Sequence, residues 1–296
     1  MLPFVFLDET KLGPFHPYGI ACALGFFAWD WAIMKRAQQA GYDRTDFRVL
    51  TVVLGVFGWF FAWWIDAVFY APKGTIGQSL TALAGFSATG AMVGATIGGV
   101  LWCRYSFLKS KDGKWKLAKR EKPHAKLPLA EVILSTWPIA FAFGRLGCSL
   151  IHDHPGATVP KDSFAATFAL AWPRGPEDGV HHVFGPLHVV TGGSDARFDL
   201  GFIELVILAV MAIAFMFLWR KKLVLGTYTM VASLVYGAFR FGLDFLRAPD
   251  GEPGGEPRHG GLTFAQYWSL AILALGIVLL VRRIKHAAPE QEPATH

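Results

Sequence analysis

Apolar residues in this chain come in long unbroken runs, without the alternation of a half-buried strand. Seven runs stand out: roughly Tyr18–Met34, Leu50–Tyr70, Ala88–Leu108, Leu127–Ile151, Leu200–Trp219, Leu223–Leu246 and Phe264–Val281. A bilayer core of about 30 Å takes about 20 mostly apolar residues as a helix, which satisfies every backbone amide internally. The pattern predicts an all-α polytopic membrane protein with seven transmembrane helices, forming a single membrane domain over residues 1–296. Between the fourth and fifth runs lies a polar segment, His152–Asp199, that holds Pro, Gly, Asp and the aromatic-containing run Phe164–Trp172. It is expected to be a small folded head on the outside, within the same domain. The first run is not expected to be a cleaved signal peptide, because residues 1–17 lack a basic n-region and no small-residue cleavage site follows.

Composition agrees and narrows the class. Hydrophobic residues make up 53% of the chain and charged residues 17%, against about 45–50% and about 25% in soluble domains. An ordinary soluble enzyme and a disordered chain are both excluded. The net charge of +6 matters through its placement. Of the 28 Lys and Arg, 19 lie in the connections after spans one, three and five and in the C-terminal tail, while 7 lie on the other side. The positive-inside rule then puts the N-terminus outside and the C-terminus in the cytoplasm. The basic run Lys109–Lys126 belongs to that cytoplasmic rim, and nucleic acid is not an expected partner. Cys22, Cys103 and Cys148 fall in or at the edge of spans, where they read as small buried hydrophobes. Gly90, Gly94 and Gly98, spaced by four, allow another helix to approach closely.

Two arginines remain, Arg145 and Arg240, and both lie inside spans. An intramembrane Arg costs about 2.5–3.5 kcal/mol on insertion scales and is by default a functional-site candidate. Along the sixth span Tyr236, Arg240, Asp244 and Arg247 follow i, i+4, i+8 and i+11, one face of a helix. In the predicted topology Tyr18, Asp66, Asp153 (capping the fourth span) and Glu204 come to a similar depth, with Arg247 at the outer mouth. One reading of these groups is a set of buried salt bridges tying helices together. The other follows from guanidinium forks matching phosphate bidentately: an outer-leaflet cavity that binds an anionic lipid head group. The histidines His152, His154, His181, His182 and His188 are close enough in sequence to raise the question of metal. Their spacing is not diagnostic, and neither metal nor cofactor is expected.

These residues resemble a known family. Gly144-Arg-Leu-Gly147 followed by Asp153 and Gly156 is similar to the signature of the prolipoprotein diacylglyceryl transferases. Tyr236-Gly-Ala-Phe-Arg-Phe-Gly-Leu-Asp-Phe-Leu-Arg-Ala-Pro-Asp250 resembles that family's second motif, with Asp244 where Glu is usual. Tyr18-Gly19, Phe168–Pro173, Glu204 and Leu262–Tyr267 match as well. The resemblance implies a seven-span, N-outside enzyme of the bacterial inner membrane. Such an enzyme transfers the diacylglyceryl group of phosphatidylglycerol to the lipobox cysteine thiol of a prolipoprotein and releases glycerol phosphate. It further implies that Arg145 and Arg240 hold the phosphate and stabilise its departure, with Arg247 steering at the mouth. Asp153, Asp244 and Glu204 would orient the arginines, Tyr18 would donate to the lipid head, and Gly156 would belong to the lipid-binding set.

Three stretches depart from the family pattern. Thr89 stands where the family has His, Cys148 where Asn usually follows Gly-Arg-x-Gly, and Phe198–Glu204 where a longer His-Pro-x-Gln-x-Tyr-Glu stretch is usual. If the missing His takes the thiol proton, His152 or His154 would have to substitute. The alternative functions are an inactive or repurposed paralogue that binds anionic phospholipid or lipoprotein precursors, and a seven-span transporter or sensor.

Overall fold

The computed structural model describes residues 1–7, 16–70, 76–78, 85–109, 115–175, 177–252 and 254–287. The centre of the basic run Lys109–Lys126, residues 110–114, lies outside them. Eight main helices are seen among the described residues: α1 (Pro17–Gln39), α2 (Arg44–Ile65), α3 (Ala88–Arg104), α4 (Lys126–Leu134), α5 (Trp137–Ile151), α6 (Leu200–Leu218), α7 (Thr227–Leu243) and α8 (Phe264–Ala287). Each expected span meets a helix. α2 continues as a π turn over Asp66–Tyr70 and α7 as a 3₁₀ turn over Asp244–Leu246. Four helical segments are long and apolar enough to cross a bilayer. The protein is a multi-pass membrane protein.

The expected fourth span is two helices, not one. α4 and α5 are bent by 42° at Ser135–Thr136 and together count as a fifth candidate span. Pro138 sits in the first turn of α5. A proline there has no N–H for the carbonyl of Leu134, so the helical ladder is interrupted at that step. α1 carries Asp30, paired with Arg48 of α2, and α3 is a 17-residue helix rich in glycine.

Those glycines set how α2 meets α3. A Cβ on Gly94 would lie 2.2 Å from the Phe57 carbonyl oxygen, and one on Gly90 2.5 Å from that of Phe61. The small residues therefore serve close helix contact, as their spacing predicts. Gly94→Ala is expected to destabilise by about 1–3 kcal/mol, because rigid backbone would have to move. Gly55→Ala, which meets open space, is expected to leave stability unchanged or raise it. Thermal unfolding of the two variants in detergent checks the contrast.

The all-α expectation fails outside the spans. The head is β structure: β4 (Pro155–Thr158), β5 (Leu170–Trp172), β6 (Val180–Phe184), β7 (Leu187–Thr191) and β8 (Asp195–Asp199), joined by β1 (Phe4–Leu7) from the N-terminal segment. Two antiparallel sheets result, β1-β7-β6 and β4-β8-β5. The head is thus not made by 152–199 alone, since Phe4 pairs with Val190 across most of the chain. At the opposite end α3 stops at Arg104, and Tyr105–Lys109 (β2) pairs with Trp115–Lys119 (β3) as a hairpin. In the head, Asp178 accepts from the Arg174 and Ser194 amides and the Ser194 hydroxyl. These bonds hold its carboxyl down at about 2. Their contribution is complete above the ordinary carboxylate range and is lost only as pH falls toward that value.

The bundle is built from pairs. α1 packs on α5, α5 on α6, α2 on α3, and α7 on α8. This brings the last turn of α5, the first turn of α6 and the last turn of α7 together beneath the head.

Candidate active site

Arg145 projects from the penultimate turn of α5, Glu204 from the first turn of α6, and Tyr236 and Arg240 from α7. All four are buried, with Arg145 at 4% exposure and Arg240 at 5%. Arg145 Nε lies 2.9 Å from Glu204 Oε2, and Arg240 Nε lies 4.0 Å from the same oxygen. The Arg145 N–H is not aimed at that oxygen, so charge more than an aligned hydrogen bond holds this pair. The Tyr236 hydroxyl donates to Glu204 Oε1 at 2.7 Å. One carboxylate therefore sits between two guanidiniums and a phenol. In a low dielectric that mutual compensation is what permits buried charge at all.

Asp244 is the second hub. α7 ends at Leu243 and tightens into the 3₁₀ turn, so the face predicted from i, i+4, i+8, i+11 does not run on as an α-helix. Asp244 nevertheless accepts from Arg240 Nη1 one helical turn before it. It also accepts from Arg247 Nε at 3.2 Å and Nη2 at 3.1 Å. Its other oxygen accepts from the Thr263 hydroxyl. Thr263 and Gln266 form a capping box at the start of α8: the Gln266 amide donates to Thr263 Oγ1, and the Thr263 amide to Gln266 Oε1. The Leu262–Tyr267 stretch thus starts a helix and steadies Asp244 with one hydroxyl.

Arg247 is not a residue of the mouth. It is 5% exposed and uses all its nitrogens, on Asp244, on Glu256 at 2.9 Å and on the Gly254 carbonyl. Gly156 bridges backbone to backbone with Arg247. A Cβ there would meet the Leu246 carbonyl oxygen at 2.7 Å, so glycine is needed for the head to close on the end of α7.

The chain leaving α5 makes a second cluster. The helix is capped not by Asp153 but by His152, in the left-handed region at φ 52° and ψ 42°. His152 Nδ1 lies 2.5 Å from Asp199 Oδ2 and Nε2 lies 2.8 Å from the Val5 carbonyl oxygen. Phe4 stacks on the ring at 3.8 Å. Asp199 in turn caps α6 by accepting from the Phe202 amide. Both His152 nitrogens are therefore engaged in contacts that fix the head. Beyond the turn, His154 Nδ1 lies 2.7 Å from Asp153 Oδ1. Asp153 thus pairs with His154, hydrogen-bonds Cys148 and lies within charge range of Arg145. Arg145 Nη1 reaches Cys148 Sγ at 3.7 Å. His188 on β7 pairs with Phe6 of β1, and His181 and His182 lie one strand further out on β6.

Tyr18 begins α1 and is 38% exposed. Its ring lies over Gly147, where a Cβ would sit 2.8 Å from Tyr18 Cδ2, and its hydroxyl is within charge range of Cys148 and Arg145. Thr89 is buried in the first turn of α3, where Tyr70 hydrogen-bonds it and Ser87 within charge range of Arg240. Tyr70 was not legible as a site residue, because a tyrosine ending an apolar run reads as interface. An apolar cavity of about 290 Å³ extends from Tyr236 toward Lys126, lined by Met92, Gly99, Leu129, Trp137 and Ile272 among others. Of the buried cluster, Tyr236 lines this apolar slot.

A family model for prolipoprotein diacylglyceryl transferase matches residues 9–282. The chain belongs to that family. Among curated relatives, the phosphatidylglycerol–prolipoprotein diacylglyceryl transferase of Xanthomonas euvesicatoria pv. vesicatoria is 25% identical over 96% of this chain and 92% of its own. That of Proteus mirabilis is 24% identical over 97% and 95%. The second such transferase of Clostridium perfringens is 26% identical over 89% of each chain. The match runs the length of the transferase fold, spans and head together.

Proposed function

We propose that this member of the family transfers the diacylglyceryl group of phosphatidylglycerol to the lipobox cysteine thiol of a prolipoprotein, in the bacterial inner membrane. One observation carries the reading: two buried arginines, Arg145 and Arg240, converge on one carboxylate, whose partner Tyr236 also lines an apolar cavity. The relatives named for this reaction support it. In the working orientation seven spans cross the bilayer with the N-terminus and head outside and the C-terminus in the cytoplasm, as the Lys/Arg asymmetry favours.

The chemistry follows from the donors each arginine has left. Arg247 has no nitrogen to spare. Among the described residues Arg240 hydrogen-bonds only through Nη1, and Arg145 only through Nη1 to a thiol. Their remaining N–H groups meet the lipid phosphate, competing with Glu204, while the acyl chains occupy the apolar slot. As the carbon–oxygen bond to phosphate breaks, charge grows on the departing oxygen, and preorganised guanidiniums in a dry site stabilise it. Asp244 and Glu204 position the two forks, and Arg247 and Gly156 hold the head against them. Tyr18, partly exposed beside Arg145, donates to the lipid head.

The departures at Thr89 and Cys148 favour the second reading, a paralogue that binds anionic phospholipid or a lipoprotein precursor without transfer. Expression in cells depleted of their own transferase separates the two. Thioether-linked diacylglycerol on a reporter lipoprotein is expected. Its absence with the protein correctly inserted would overturn the enzyme reading.

A further inference from the structure

The lipobox thiol must lose a proton before it attacks, and neither Thr89 nor His152 is placed to take it. Thr89 is no base, and His152 is locked between Asp199 and Val5. What remains near Arg145 is Cys148, Asp153 and His154. One ligand atom from each, a thiol sulfur, a carboxylate oxygen and an imidazole nitrogen, lies within 4.8 Å of the others. No other His, Cys, Asp or Glu grouping among the described residues is as compact.

The sequence spacing alone would not produce this cluster. Cys148 faces inward from the last turn of α5, and a chain continuing straight would carry Asp153 and His154 away from it. His152 is the single non-glycine residue with positive φ among the described residues. A left-handed conformation is strained for such a residue and persists only where its surroundings enforce it. Here a carboxylate, a carbonyl and a stacked Phe4 hold the ring. The consequence is a chain reversal that lays Asp153 and His154 back over Cys148. The reversal is built, and what it builds is a soft donor, a borderline donor and a hard one within 4.8 Å of one another.

We propose that Cys148, Asp153 and His154 form a three-ligand site for zinc or a similar divalent ion, whose open fourth position takes the acceptor thiol. The inference rests on the transferase reading above. Three protein ligands with an open position are the pattern of catalytic zinc, and a thiol bound to such an ion is deprotonated outright. The charges suit the site. The Cys148 sulfur, once bound as thiolate, and the Asp153 carboxylate would neutralise the ion, and Arg145 Nη1 lies 3.7 Å from Cys148 Sγ. The incoming thiol gives its proton to solvent. Its sulfur then forms the carbon–sulfur bond to the glyceryl carbon as the carbon–oxygen bond to phosphate breaks, and the electron pair leaves on glycerol phosphate beside Arg145 and Arg240. Nothing is oxidised or reduced.

The test uses the full chain purified in detergent, stripped with chelator and titrated with zinc and with cobalt. About one ion per chain is expected, together with a near-ultraviolet thiolate-to-cobalt band. Cys148→Ser is expected to remove the band, and His154→Ala to weaken zinc binding by at least about 100-fold, since even outer-shell changes cost 10–100-fold. His181→Ala, in the distant hairpin, is expected to bind as wild type does. A wild-type protein that takes up no ion, or a cobalt band that survives Cys148→Ser, would overturn the site. Transfer assayed in parallel keeps the two claims apart. Undiminished thioether formation by the stripped protein overturns the role of the ion and leaves the transferase reading standing. A site that loads with zinc in a protein that transfers nothing overturns the role of the ion through failure of the transferase reading itself.

Discussion

Arg145→Ala and Arg240→Ala each lower diacylglyceryl transfer by about 10²–10³-fold, the effect of removing one preorganised donor from a developing oxyanion. Both variants still insert and fold, and the ion-pair arrangement says why. When Arg145 is lost, Glu204 keeps Arg240 nearby and the Tyr236 hydroxyl on its other oxygen. When Arg240 is lost, Asp244 keeps Arg247 and Thr263. No carboxylate is stranded in either case. Lysine at either position retains charge without the planar fork, so Arg145→Lys and Arg240→Lys recover binding better than rate. Transfer to a reporter lipopeptide, measured beside phosphatidylglycerol binding, checks both parts.

Glu204→Gln has the opposite signature, a large loss of stability. Glu204 is the shared partner of two buried arginines, and an amide offers them no charge. Breaking a buried pair by removing one member costs about 3–5 kcal/mol, because the remaining charge is uncompensated. Here Arg145 has no other carboxylate within pairing distance among the described residues. The melting temperature in detergent therefore falls more for Glu204→Gln than for Glu256→Gln, whose partner Arg247 keeps Asp244. Equal melting temperatures for the two variants would mean that Glu204 is not the electrostatic centre of the bundle.

The helices were legible because a bilayer forces one solution on a long apolar run: each of the seven runs meets a helix, and among the described residues four are long and apolar enough to span, or five with the bent pair. The bend at Ser135–Thr136 left its mark only as Pro138, which reads equally well as a tolerated residue of a membrane helix. The head was not legible as β structure. Its strands are three to five residues long, and β1 finds its partner at Leu187–Thr191, a pairing no local pattern encodes. Arg145, Glu204, Tyr236, Arg240 and Asp244 could be found from the expense of polar groups inside a span, and the structure brings all five together. The same logic misplaced Arg247, because a helix was extrapolated past Leu243 to an open mouth. Asp153 was misread as a cap for a similar reason: a left-handed residue such as His152 has no signature in sequence. Cys148 is buried, as a small hydrophobe would be, and the reversal at His152 sets Asp153 and His154 beside it.

The most direct measurement reconstitutes the purified protein in phosphatidylglycerol vesicles with a lipobox peptide and follows glycerol phosphate and the peptide mass together. The account predicts stoichiometric release of glycerol phosphate and a peptide carrying thioether-linked diacylglycerol, both lost in Arg145→Ala and Arg240→Ala. Transfer unaffected in both variants, or no transfer by a folded wild-type protein, would contradict it.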